Sequence, residues 1–155
     1  MKRLLTSLFF VILCLVVGYI SGLMQAASLE TWYPFITKSP ITPPAAVFPV
    51  VWTILYILMG IVAGILWSRN SIYSRLLFTL FFAQLLFNLL WTFCFFYMQS
   101  PLLGFVVIMV LDMLALMYIA GCFVVSKLCG WLTMPYILWL LFATYLNGYI
   151  ALMNY

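Results

Sequence analysis

The chain has 155 residues, of which 69% are apolar and only 5% charged, with a formal net charge of +4. A water-soluble domain carries roughly a quarter charged residues, so this composition excludes a soluble enzyme and a nucleic-acid-binding module. It leaves a single-domain integral membrane protein, because spans of ~20 residues use up the chain.

Five apolar runs, taken in order, predict an all-α bundle of five transmembrane helices at Leu4–Met24, Val47–Trp67, Leu76–Met98, Leu102–Val125 and Trp131–Met153. Each is long enough to cross ~30 Å of hydrocarbon at ~1.5 Å per residue. The first run follows Lys2 and Arg3 as a signal peptide would, but it outruns a signal's apolar core and no small-x-small cleavage site follows. It reads as a retained span. Ser100-Pro101 predicts a capping hydroxyl and a first-turn proline for the fourth helix. Pro49 and Pro135 are expected near the starts of the second and fifth helices, where a missing N–H costs little. The short polar break Ser68-Arg69-Asn70-Ser71 predicts that the second and third helices are antiparallel neighbours. On the second helix, Gly60 and Gly64 form a G-x-x-x-G that permits close backbone approach, read as internal packing rather than a dimer seam.

The longest interruption, about 28–44, holds Trp32, Tyr33, Phe35 and a single cation, Lys38. Pro34, Pro40, Pro43 and Pro44 within it, and Pro49 just beyond, restrict φ, so the segment can hold a shape without regular structure. We read it as an ordered lid over a site. Lys2, Arg3, Arg69, Arg75 and Lys127 fall on one side of the five-span arrangement and only Lys38 on the other. The positive-inside rule then puts the N-terminus in the cytoplasm and the lid and C-terminus outside.

Absences narrow the chemistry. The chain has no His, which removes imidazole ligation of haem or metal and His-based catalytic triads. Cys14, Cys94, Cys122 and Cys129 show no C-x-x-C spacing and read as small apolar fillers. Glu30 and Asp112 are the only acids, too few and too far apart for paired-carboxylate catalysis. No metal site is expected.

Polar and aromatic residues nevertheless fall in register. Phe48, Trp52 and Tyr56 share a face of the second helix, Gln84, Asn88 and Trp91 a face of the third, and Trp139, Ala143 and Asn147 a face of the fifth. Counted from the lid end at ~1.5 Å per residue, Trp52, Trp91 and Asn147 lie ~10 Å deep, Asn88 and Ala143 ~15 Å, Gln84 and Trp139 ~20 Å. Such residues also serve as interhelical bonds and interfacial anchors, but three stripes meeting under one ordered loop point to a binding site. Asp112 is the one acid deep in a span. It reads as an interhelical bond, with Asn88 at comparable depth as the expected partner, as a proton-linked group, or as a direct ligand contact.

The lid motif (Trp32-Tyr33, Lys38, Pro43-Pro44, Phe48, Trp52, Tyr56), Asn88-x-x-Trp91, and Trp131-x-x-x-Pro135-Tyr136-x-x-Trp139-x-x-Phe142-Ala143-x-x-Leu146-Asn147 resemble the TspO/MBR family of translocator and tryptophan-rich sensory proteins. The resemblance covers nearly the whole chain. It implies a five-helix bundle, usually a homodimer, that binds porphyrins such as protoporphyrin IX and apolar drugs of the isoquinoline and benzodiazepine type. It implies pocket residues at Tyr33, Trp52, Asn88, Trp139, Ala143 and Asn147, to which the register above adds Trp91 and, as a partner for a propionate, Lys38. The expected function is a membrane-embedded receptor, scavenger or carrier of tetrapyrroles that needs no cofactor. The alternatives are light-dependent porphyrin breakdown with Trp52 and Trp139 as electron donors, and proton-coupled export resting on Asp112. Two departures stand out: the family's Lys-Pro is Lys38-Ser39 here, and no basic residue follows Lys127, so the C-terminal sterol motif of animal members is missing.

Overall fold

The computed structural model describes residues 2–69 and 73–154, the side chains of Lys2, Arg3 and Ser74 excepted; Asn70 and Ser71 of the polar break lie outside the described residues. Five helices follow one another: α1 Lys2–Thr31, α2 Val47–Trp67, α3 Ser74–Thr92, α4 Pro101–Val125 and α5 Lys127–Met153. All five contain stretches long and apolar enough to cross a membrane, so the protein is a multi-pass membrane protein.

Three boundaries differ from expectation, each for a local reason. α1 runs through Gln25–Thr31, because Ala26, Ala27 and Leu29 are good helix formers and nothing there breaks the ladder. The start of the expected lid is therefore helix, and the irregular segment is 32–46, opened by a 3₁₀ turn at Tyr33–Phe35. α3 passes into a π turn at Phe93–Tyr97 before the chain reverses at Gln99, which has φ 52°. α5 begins earlier than expected, since Ser126 alone separates it from α4 and its Oγ accepts from the Cys129 N–H. Pro135 consequently sits inside α5 rather than near its start. At the head of α4 the proline is in the first turn as expected, but the Ser100 hydroxyl makes no capping bond.

Around the bundle the packing order is α1, α2, α5, α4, α3 and back to α1. The connection between α2 and α3 makes them antiparallel, yet they scarcely touch. α2 is drawn to α1 and α5, and α3 to α4 and α1. α4 supplies the most tightly enclosed face, with Ile108, Leu111, Ala115 and Cys122 fully buried. α1 is the most peripheral element: 17% of its apolar stretch is buried, against 44% for each other helix. What holds it is close approach to α2. A Cβ on Gly60 would strike the backbone of Val11, and one on Gly64 the backbone and side chain of Ser7. The G-x-x-x-G is thus an internal seam.

Asp112 does not pair with Asn88. Its carboxylate faces α5, where Thr144 donates to Oδ2 at 2.8 Å, while Asn88 is turned toward α2.

Two outcomes follow from these contacts. Gly64→Leu should lower the melting temperature of the purified protein, overpacking the seam at a cost of about 1–3 kcal/mol, whereas Gly22→Ala, where a Cβ meets no atom, should leave it unchanged. Asp112→Asn keeps an acceptor for Thr144 and should melt within a degree or two of wild type while retaining ligand affinity; a collapse of either would give Asp112 more than a seam role.

Candidate ligand-binding cavity

α2 and α3 stand apart at the loop end, and the space between them is a cavity of about 430 Å³. Its wall is built from α1, α2, α3, the π turn and α5, with Tyr33 and Ala45 of the loop at its rim. α4 contributes nothing to it.

Aromatic rings make most of the wall. Trp52 packs between Tyr56 and Trp91, with ring centroids 5.7 and 6.0 Å away, and Trp91 stacks on Phe95 at 6.2 Å. The π turn brings this last part about. Its larger number of residues per turn rotates both Phe95 and Phe96 inward, where Trp32 and Tyr33 of the loop pack on them at 5.6 and 5.7 Å.

The two amides have different duties. Asn147 accepts from Trp91 Nε1 at 2.9 Å and donates to the Pro101 carbonyl at 2.8 Å, tying α3, α5 and the head of α4 together. Its bonding capacity is largely spent on structure. Asn88 Oδ1 accepts from the Tyr56 hydroxyl at 2.5 Å, which fixes the amide plane. Asn88 Nδ2 is buried and has no partner. An unmatched buried donor costs about 1–3 kcal/mol, and this one belongs to a residue that lines the cavity. No charged side chain lines the cavity among the described residues.

Of the residues expected from sequence, Tyr33, Trp52, Asn88, Trp91, Ala143 and Asn147 come together on this wall. Trp139 and Lys38 do not. Trp139 packs edge-on against Phe48, which does line the cavity, at 5.8 Å, so it stands one ring behind the surface. Trp139 and Gln84 were the deepest members of their stripes, and the cavity ends above that level. Lys38 turns back on its own loop. Its ammonium donates to the carbonyls of Tyr33, Pro34 and Ile36 at 2.7, 3.2 and 3.0 Å and lies 5.0 Å from the centre of the Tyr33 ring. An ammonium has three donors, and all three are used. Burial at the rim pushes the Tyr33 phenol above its ordinary pKa, so the ring beneath Lys38 stays neutral.

The sequence reading missed α1 altogether. Gly18, Ser21, Gly22, Gln25 and Leu29 line the cavity. The signal was present as small and polar residues at three- and four-residue spacing in an otherwise bulky helix, but it is indistinguishable from a packing stripe until the partner helix is placed.

Against known proteins, the family model for the TspO/MBR family matches residues 10–153. The chain is 39% identical to the tryptophan-rich protein TspO of Archaeoglobus fulgidus over 140 residues, covering 90% of this chain and 91% of the relative. It is 37% identical to the protein of the same name from Chlorobaculum tepidum, covering 99% and 98%. It is also 35% identical to the tryptophan-rich sensory protein of Cereibacter sphaeroides, covering 76% and 73%. With a cavity lined by Trp52, Asn88, Trp91 and Asn147 beneath a fastened aromatic loop, and with matches over nearly its whole length, this chain belongs to the TspO/MBR family.

Proposed function

We propose that the protein binds a flat, largely apolar small molecule, with porphyrins as the leading class, and serves as a receptor or carrier rather than a catalyst. The observation that carries this reading is the combination of aromatic walls with an unpartnered buried donor on a lining residue, Asn88 Nδ2, in a cavity that has no charged side chain among the described residues. Rings of Trp52, Trp91 and Phe95 offer faces to an extended π system, and drug-sized ligands occupy cavities of this order of size. The Asn88 amide selects for a ligand carrying an acceptor, such as a pyrrolenine nitrogen or a carbonyl. A macrocycle's carboxylates are expected to remain at the rim, since the wall offers them no counter-charge. The absence of His from the sequence favours an iron-free tetrapyrrole over haem. The word "sensory" in the name of the Cereibacter relative agrees with a receptor role. We further place the N-terminus in the cytoplasm, with the 32–46 loop and the C-terminus outside, on the distribution of basic residues.

Titration with protoporphyrin IX in darkness and under light, following Trp fluorescence and porphyrin absorbance together, tests this reading. Saturable quenching with the porphyrin recovered intact is the expected outcome. Light-dependent loss of absorbance would favour the degradative alternative, in which Trp52 and Trp91, the rings on the wall, are better placed than Trp139. Asn88→Leu should weaken dark binding about 3- to 10-fold, the worth of one net hydrogen bond. Trp52→Ala should cost about tenfold or more, as buried aromatic anchors do, and more than Trp139→Ala. Equal losses at Trp52 and Trp139 would move the ligand toward α5 and away from the cavity described above.

A further inference from the structure

Contact between α1 and α2 changes character along its length. Ser7, Val11 and Gly18 of α1 meet α2, and Gly22, Gln25 and Leu29 continue the same three- and four-residue rows toward the loop and line the cavity. In the half remote from the loop the two helices meet backbone to backbone, at Gly64 on Ser7 and Gly60 on Val11. Gly18 still lies close, since a Cβ there would stand 2.6 Å from the Tyr56 ring. One turn nearer the loop there is room: a Cβ on Gly22 would meet nothing within 4 Å.

The residues bordering this split belong to two surfaces at once. Tyr19 and Leu29 of α1 line the cavity, yet are 69% and 39% exposed. Pro49 and Thr53 on the opposing edge of α2 likewise line the cavity and are exposed. Both edges lie within spans that cross a membrane, so the medium outside the split is lipid. The loop end is different. Besides the three carbonyls held by Lys38, the Thr37 N–H donates to Asn154 Oδ1 at 2.8 Å, and Asn154 Nδ2 returns a bond to the Thr37 carbonyl at 3.0 Å. Ser39 and Tyr145 share a hydroxyl bond at 3.1 Å. Lifting the loop would break all of these.

We propose that ligands enter and leave sideways, from the membrane leaflet on the loop side, through the crevice between α1 and α2, and that Gly22 keeps this crevice open. The proposal rests on the cavity being a ligand site. It adds a second selection before the Asn88 contact: a molecule must first dissolve in the bilayer, and must be thin enough in one dimension to pass edge-on between two helices. A polar solute of suitable shape is thereby excluded, and flat apolar molecules are admitted. The fastened loop acts as a fixed roof rather than as a moving lid.

The test uses the full chain in liposomes, with protoporphyrin IX as the probe and stopped-flow quenching of Trp fluorescence as the readout. Gly22→Trp, which has room to be accommodated, should slow association and dissociation alike by about tenfold or more, whereas a tryptophan that only took up ligand space would speed dissociation. Thr53→Trp fills the same crevice from α2 and should act alike, which guards against a folding defect peculiar to one variant. A disulfide between Thr37→Cys and Asn154→Cys, which locks the loop to the end of α5, should leave both rates unchanged. Wild-type rates in both tryptophan variants, or slowed exchange in the locked-loop protein, would overturn the lateral route.

Failure of the wild-type protein to bind porphyrin at all is a different outcome and counts against the proposed function. The route is then judged without a ligand, by labelling Ala143→Cys on the cavity wall with N-phenylmaleimide. The native cysteines Cys14, Cys94, Cys122 and Cys129 are all buried, which leaves the new thiol as the one with cavity access. Gly22→Trp should slow that labelling by about tenfold; an unchanged labelling rate would show that reagents reach the cavity by another path.

Discussion

Everything above the membrane's middle depends on how α1 and α2 touch below it. Between apolar helices in lipid there is no hydrophobic drive to associate, so contact relies on close packing of small residues. Gly60 and Gly64 provide it, letting Val11 and Ser7 of α1 come against the α2 backbone. A close contact confined to one end acts as a pivot, and the same two helices are free to separate toward the other. The cavity is the space so created, with α2 parted from α3 and bridged to it at this end by large side chains, Trp52 to Trp91 and Tyr56 to Asn88.

Within that space the polar groups divide their work. The bond from Trp91 to Asn147, continued to the Pro101 carbonyl, spends its capacity on joining three helices. Lys38 spends its charge on three carbonyls of its own loop. Asn88, a lining residue, combines a fixed orientation with an unused buried donor. A site of this kind recognises a ligand mainly by shape and by one directional contact. Removing the charge of Lys38 should therefore disturb the loop more than the cavity.

The five helices were legible because each is an apolar run bounded by proline, serine or a polar break. Their ends were not, where weak signals conflicted. The first apolar run ends at Met24, but Ala26, Ala27 and Leu29 keep α1 helical to Thr31; Pro135 suggested a helix start, but the Ser126 cap had already begun α5. Five of the expected site residues, Trp52, Asn88, Trp91, Ala143 and Asn147, were readable from shared faces and matching depth, while Tyr33 came from the family resemblance. What sequence could not supply is the level at which helices part. That level separates Ala143, on the wall, from Trp139 a turn deeper and behind Phe48. It also hides α1, because Gly18 and Gly22 look alike in sequence, although one lies under a tyrosine ring and the other faces open space. The expected bond between Asp112 and Asn88 failed for a related reason: equal depth says nothing about which neighbour a helix face is turned toward.

The single residue between α4 and α5 bears on how the protein reaches the membrane. With Ser126 alone as the connection, in extended backbone at φ −161° and ψ 118°, neither helix can be threaded without the other following at once. The two form one helical hairpin, with Phe123 and Gly130 lying against each other at the bend, and a hairpin this tight is expected to enter the bilayer as a unit. Lys127, the last basic residue of the chain, stands at that bend and resists being carried across. The final two spans thus behave during biosynthesis as a single insertion unit, and their topology is settled together or not at all.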